Sequence, residues 1–284
     1  MTAVGFVGLG NIGKPMALRL ASSGADLKVY DVAPEPVEEL RAAGAGVAGS
    51  VAELASGVDL MCVMVRDDEQ VREVLGDLLG TAAEGLVVAV HSTVAPTTPV
   101  DLADTAGRHG VLVVDAPVSG GAMGATEGTL AIMVGGSDEA FAACAEPFSL
   151  MASKVVHAGP VGSGTAFKLA RNLMHFVSFT AATEAQRLAE AAGLDLVALG
   201  EVVRHTDAIT GGPGAIMHRA TTARLDPDDF WYGVLGHVVA LGEKDLGFAT
   251  ELADSLGVDV PLARLARERL GPGLGLPTTG EGSP

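Results

Sequence analysis

From residue 4 to about 160 the chain alternates short, almost wholly apolar runs with longer ones in which apolar positions recur every three or four residues. The apolar runs are VGFVGL (4–9), DLKVYD (26–31), LMCVMV (60–65), LVVAVHS (86–92), VLVVDAPVS (111–119) and LAIMVGG (130–136). Between them lie segments such as PEPVEELRAAG (34–44) and DEQVREVLGDLLG (68–80). Strands apolar on both faces, separated by amphipathic helices, predict parallel βαβ units with helices covering both sides of one sheet. This half is expected to be α/β.

After about residue 163 the strand pattern stops. Helical periodicity predicts helices over 164–192, about 194–206, 228–256 and 260–269, broken by TGGPGA (210–215). The division that follows is a sheet domain over 1–162 and an all-helical domain over 163–270. The Gly- and Pro-rich stretch 271–284 is expected to be a flexible tail. Within GTAFKLARNLMHFVSF (164–179), Phe167, Leu169, Ala170, Leu173, Met174, Phe176 and Val177 take most of the helix circumference and are expected to be covered. Lys168, Arg171, Asn172 and His175 are left on one narrow stripe, either a solvated edge or a working face.

Composition narrows the partners. The 284 residues hold 35 acidic against 18 basic side chains, a net charge of -17, which disfavours nucleic acid. No run reaches the roughly 18 apolar residues of a membrane span, and MTAVGFVGLG lacks a basic leader region, so a cytoplasmic protein is expected. Cys62 and Cys144 lie in apolar runs without ligand spacing and read as reduced core residues. The histidines show no pairing for a metal site, and none is expected.

Gly8, Gly10 and Gly13 form G-x-G-x-x-G directly after a strand and at the start of a helix, with Leu9, Asn11 and Ile12 completing the turn. Such a turn brings a pyrophosphate against backbone N–H groups at a helix N-terminus. Asp31 ends the next strand, about 20 residues on, where a carboxylate accepts hydrogen bonds from an adenosine ribose. A carboxylate there repels a 2′-phosphate, and DVAPEP offers no cation beside it, so NAD is favoured over NADP.

With the glycine turn, DAPVSGGAMGATEGTLAIMVGG (115–136), GSGTAFKLARNLM (162–174) and EKDLGFATELA (243–253) in that order, the sequence resembles the β-hydroxyacid dehydrogenase family, which includes 3-hydroxyisobutyrate dehydrogenase and, more distantly, 6-phosphogluconate dehydrogenase. The resemblance implies a Rossmann domain, a long interdomain helix and a helical C-terminal domain that builds a homodimer or homotetramer. It implies cofactor contacts at Gly8, Gly10 and Gly13, a nicotinamide-side loop at Met64 and Val65, and further contacts at Thr93 and Lys244. It further implies a substrate-carboxylate loop at Ser119, Gly120 and Gly121, a catalytic Lys168 and an assisting Asn172.

The chemistry is consistent with those residue types. Oxidising an alcohol removes a hydride and a proton, and the nicotinamide handles only the hydride. A lysine whose pKa is lowered by partial burial can take the proton; a neutral amide one turn further on can orient the substrate oxygen. The Ser-Gly-Gly turn after a strand offers a hydroxyl and backbone N–H groups suited to a carboxylate.

Three positions depart from the family pattern or carry a weaker signal. Arg171 stands where the family commonly has an asparagine, and is expected to pair with an acid or to receive a second acidic group of a larger substrate. His91 precedes Ser92-Thr93 in place of an acid and reads as a packed residue, while His175 and the aromatics Phe230 and Trp231 either touch the pocket or pack. The expected activity is hydride transfer between NAD(P) and a small β-hydroxy acid or its semialdehyde, the alternatives being imine reduction or a non-catalytic dinucleotide sensor.

Overall fold

In a computed structural model, residues 2–217, 219 and 221–277 are described. The strands are β1 (Val4–Val7), β2 (Leu27–Tyr30), β3 (Gly46–Val47), β4 (Leu60–Val63), β5 (Val87–Val90), β6 (Leu112–Asp115), β7 (Val118–Ser119), β8 (Leu130–Gly135) and β9 (Ala152–Gly159). The helices are α1 (Gly13–Ser22), α2 (Pro34–Ala42), α3 (Val51–Ala55), α4 (Asp68–Leu78), α5 (Thr98–Gly107), α6 (Gly121–Glu127), α7 (Asp138–Met151), α8 (Ser163–Ala191), α9 (Leu196–Thr210), α10 (Phe230–Leu256) and α11 (Pro261–Gly273). The chain divides into two compact units at Arg171/Asn172, inside α8 and nine residues after the boundary expected at 162/163.

The first unit is one sheet in the order β3-β2-β1-β4-β5-β6-β8-β7, with β9 also paired to β8. Strands β1 to β6 are parallel. Neighbouring residues on a strand face opposite sides. Phe6 and Cys62 accordingly join the core beneath α1 and α7, while Val7 and Val63 join the core beneath α3, α4 and α5. Each fully buried side chain of the size of Phe6, Met16 or Leu20 contributes about 1.5–3 kcal/mol.

The far edge departs from the expected parallel pattern. The run VLVVDAPVS divides into β6 and β7 around Ala116-Pro117, and β8 returns antiparallel to both. Hydropathy encodes burial and not strand direction, and the seven residues of α6 are fewer than a parallel crossover needs. Strand β9 is half-exposed, which is why ASKVVHAG lacks the continuous apolar run of a central strand.

In the second unit Leu225, Leu235, Val239, Leu274 and Leu276 form a small core flanked by Trp231, Tyr232 and Leu270. This corrects the tail expected over 271–284. Helix α11 continues to Gly273, and Gly275 at φ +83° turns the chain so that its carbonyl accepts the Leu225 N–H at 2.8 Å. The rest of that expected tail, 278–284, lies outside the described residues. Among the described residues no helix is long and apolar enough to cross a membrane.

Candidate active site

The glycine turn joins β1 to α1 at the carboxyl edge of the sheet. Gly8 has φ +90°, a conformation L side chains rarely adopt, and a Cβ there would strike the carbonyl oxygen of Met64. A Cβ on Gly13 would strike the carbonyl of Gly8, so the helix can begin this close to the strand only without one. A Cβ on Gly10 meets nothing within 4 Å, because it faces a crevice of about 520 Å³. Gly8, Gly10, Asn11, Ile12 and Gly13 line this crevice together with Asp31 and with Met64 and Val65. Helix α1 has no side-chain cap and no acid in its first turn; the Lys14 N–H is taken by the Gly10 carbonyl at 3.0 Å and Pro15 has none, so what the helix offers an anion is the positive end of its dipole and the backbone of the glycine turn. These residues fit a dinucleotide.

Asp31 holds the turn in shape: Oδ2 accepts the Leu9 N–H at 2.5 Å and Oδ1 the Ala33 N–H at 2.8 Å. Leu9 itself is buried in the core, so its contribution to the crevice is this backbone anchor. Across the crevice, the loop after β4 is fastened by a residue that sequence reasoning missed. Buried Ser92 donates its hydroxyl to the Val65 carbonyl at 2.8 Å and accepts the Val65 N–H at 2.9 Å. Thr93, singled out instead, is exposed. His91 is packed between Phe6 and Phe148, its Nδ1 2.8 Å from the Ala116 carbonyl, and burial lowers its pKa to about 4.

Lys168 is placed by Asp115, the fully buried residue that ends β6. Its carboxylate accepts the Gly162 N–H at 2.7 Å and the Thr165 N–H at 2.5 Å, seating the start of α8 on the sheet edge. Burial pushes the Asp115 carboxyl up, and these hydrogen bonds oppose the shift. A Cβ on Gly164 would collide with backbone at Met133, so the close seating depends on glycine. One turn into the helix, Lys168 is only 8% exposed. Its Nζ donates to the Val118 carbonyl at 2.6 Å and lies 3.4 Å from the Ser119 hydroxyl. Burial first, and the nearby Arg171 charge second, lower its pKa. Ser119 leads into Gly120 and Gly121, whose φ angles of +131° and +64° turn the chain into α6.

The rest of α8 reverses the expectation of a covered apolar face. Phe167 is 50% exposed, Leu173 69% and Phe176 59%, while the lysine of the polar stripe is buried. The side of the helix that meets the sheet edge carries Lys168, whose alkyl stem packs while its head finds the Val118 carbonyl. Asn172, one turn beyond Lys168 on the same helix, opens the second unit. There His175 packs on Phe179 with ring centroids 4.3 Å apart. Lys244 stands on α10, 3.2 Å from Asp245. Phe230 is exposed and meets Trp231 edge-on, and Trp231 flanks the small core of that unit. No group of His, Cys, Asp and Glu suited to a metal ion occurs among the described residues.

Fold and crevice define a Rossmann-type dinucleotide-binding protein. Residues 3–159 match the NAD-binding domain of 6-phosphogluconate dehydrogenase, and residues 162–272 match the NAD-binding region of NADP-dependent 3-hydroxyisobutyrate dehydrogenase. An uncharacterized oxidoreductase of Mycobacterium tuberculosis (strain H37Rv) is 52% identical over 277 residues, covering 96% of this chain and 94% of its own. An NAD-dependent L-serine dehydrogenase of Pseudomonas aeruginosa is 35% identical, covering 94% and 90%. The crystal structure of an oxidoreductase from Mycobacterium avium 104 superposes with a TM-score of 0.95 at 51% identity, covering 98% of this chain and all of that one. The chain belongs to the β-hydroxyacid dehydrogenase family and is an NAD(P)-dependent dehydrogenase.

Proposed function

We propose that the protein transfers a hydride between NAD and a small β-hydroxy acid or its semialdehyde, with 3-hydroxyisobutyrate and L-serine as first candidates. The observation that carries this reading is the lysine head buried 2.6 Å from the Val118 carbonyl and 3.4 Å from the Ser119 hydroxyl. When bound, the nicotinamide accepts or supplies the hydride. Lys168, as the free amine, takes the hydroxyl proton during oxidation; as ammonium it returns the proton to the developing alkoxide during reduction. Burial, with the Arg171 charge second, lowers the Lys168 pKa and so shifts the balance toward the amine form. Ser119 and the backbone N–H groups of Gly120 and Gly121 hold the substrate carboxylate, and Asn172 orients the reacting oxygen.

Asp31 supports NAD over NADP, because a carboxylate at the end of β2 repels a 2′-phosphate. The exposed apolar faces of α8, α9 and α10, among them Phe176, Ile209 and Phe248, support assembly with further copies of the chain. An acidic chain with two buried free cysteines suits the cytoplasm. The test is reduction of NAD and NADP over a panel of 3-hydroxyisobutyrate, L-serine, glycerate and 3-hydroxypropionate, with Lys168→Ala alongside. Lysine-dependent NAD reduction with a member of the panel is expected. Undiminished turnover in Lys168→Ala, or a preference for cyclic imines with NADPH, would overturn the reading.

A further inference from the structure

The cofactor crevice has a wall that neither the glycine motif nor Asp31 accounts for. Helix α4 buries Val71, Val74, Leu75 and Leu78 in the core. Gln70, Glu73 and Asp77, spaced three and seven residues apart, line the same crevice as Asp31 and Val32. Neither Glu73 nor Asp77 makes a hydrogen bond or an ion pair among the described residues, so neither is needed to hold α4 in place. Arg66 is the cation on the crevice wall, and its Nε is 2.9 Å from Asp67, which already answers its charge.

We propose that Glu73 and Asp77 are specificity-determining residues that act with Asp31 to reject the 2′-phosphate of NADP. The proposal rests on the reading of this crevice as an NAD site. An adenosine offers hydrogen-bond donors, the ribose hydroxyls and the exocyclic amine, which carboxylates accept. A 2′-phosphate replaces one of those donors with an acceptor carrying about -1.5 to -2 charges. Three carboxylates around one space then meet it with repulsion and no matching donor. Two such acids within about a Debye length of that phosphate together weaken NADPH binding about three- to tenfold.

The test uses the full chain and nicotinamide fluorescence titration with NADH and NADPH, comparing the wild type with Glu73→Gln/Asp77→Asn. The double variant is expected to gain about three- to tenfold in NADPH affinity relative to NADH, because the Gln and Asn amide oxygens still accept from the adenosine while the repulsion is gone, and the gain is expected to shrink in about 0.5 M salt. Both side chains are exposed, so an unchanged melting temperature serves as the folding control. Unchanged NADPH affinity with NADH still bound would overturn the role of α4 and leave the NAD reading standing. Wild-type preference for NADPH, lost in Arg66→Ala, would overturn both, as would failure of the wild type to bind either dinucleotide.

Discussion

His91 makes the stability of the first unit depend on pH in a way that one substitution isolates. The Ala116 carbonyl can only accept, so Nδ1 carries the proton and Nε2 is left bare, buried and without a partner. Protonating Nε2 would place an unpaired charge among Phe6 and Phe148, which is why burial lowers the pKa to about 4. An unfolded histidine titrates near 6.5. Between about pH 6.5 and 4 the unfolded chain therefore binds a proton that the folded chain refuses, and stability falls as pH falls through that window. The whole gap is worth about 3 kcal/mol, of which about 2 kcal/mol is lost between pH 7 and pH 5. Hydrogen-exchange protection of the Val88 and Val90 amides in β5, corrected for intrinsic rates, measures opening of this unit. His91→Leu should be less stable at pH 7, and the difference from the wild type should shrink by about 2 kcal/mol at pH 5. Asp115, whose raised carboxyl pKa has the opposite sign, and Asp67 and Asp68, whose lowered values have the same sign, are present in both proteins and cancel. A difference constant to within about 0.5 kcal/mol across that range would refute the argument.

Lys168→Ala is expected to lower kcat for alcohol oxidation by about 10²–10⁴-fold. The wild-type rate should rise with pH through an apparent pKa below the ordinary lysine value of about 10.4, a limb absent from the variant's pH profile. Asp115→Asn puts an amide N–H₂ against Gly162 or Thr165 and should cost about 1–3 kcal/mol of stability, read as a lower Tm. Ser92→Ala leaves both Val65 backbone groups without their partner, and calorimetry should find NADH binding weaker by about 1–2 kcal/mol. Burial raises both thiols, Cys144 to about 12, so a thiol reagent should label Cys62 and Cys144 only after unfolding.

Much of the first unit was legible because central parallel strands are apolar on both faces: all six apolar runs became strands of the sheet, five of them supplying the parallel β1, β2, β4, β5 and β6 and the sixth the antiparallel β8. β9 escaped because, beyond a buried Ala152, it is exposed or half-buried along its whole length and carries no apolar run. On α8 the periodicity separated an apolar face from Lys168, Arg171 and Asn172, but within the single chain the side that is covered is the one that carries Lys168. A pattern identifies two sides of a helix; what covers each side is a tertiary fact. Ser92 and Thr93 present the same chemistry one residue apart, and alternation along an extended segment sends one inward and the other to the surface. Asp115 did leave a trace in the sequence. A carboxylate inside VLVVDAPVS is anomalous, since acids are almost never fully buried unless paired, and that anomaly marked the residue that seats α8.

The acidity of the chain therefore has two parts with different consequences. Most carboxylates face solvent, but among the described residues three buried or half-buried ones each accept two backbone N–H groups at a place where the chain must change direction. Asp31 takes Leu9 and Ala33 and fixes the glycine turn. Asp115 takes Gly162 and Thr165 and starts α8, and Glu184 takes Leu262 and Ala263 at 2.8 and 2.9 Å and starts α11. Charge-assisted bonds of this kind are worth more than neutral ones and aim in a definite direction. Apolar packing alone positions a helix only to within its sliding freedom, whereas two N–H groups held by one carboxylate fix both height and rotation. The loop that faces the crevice and the helix that carries Lys168 are each set this way. Substituting Asp31 or Asp115 should therefore displace a functional group before it unfolds the sheet. Neutralising surface acids such as Glu35 or Glu69 should change net charge and leave the positions of both groups as they are.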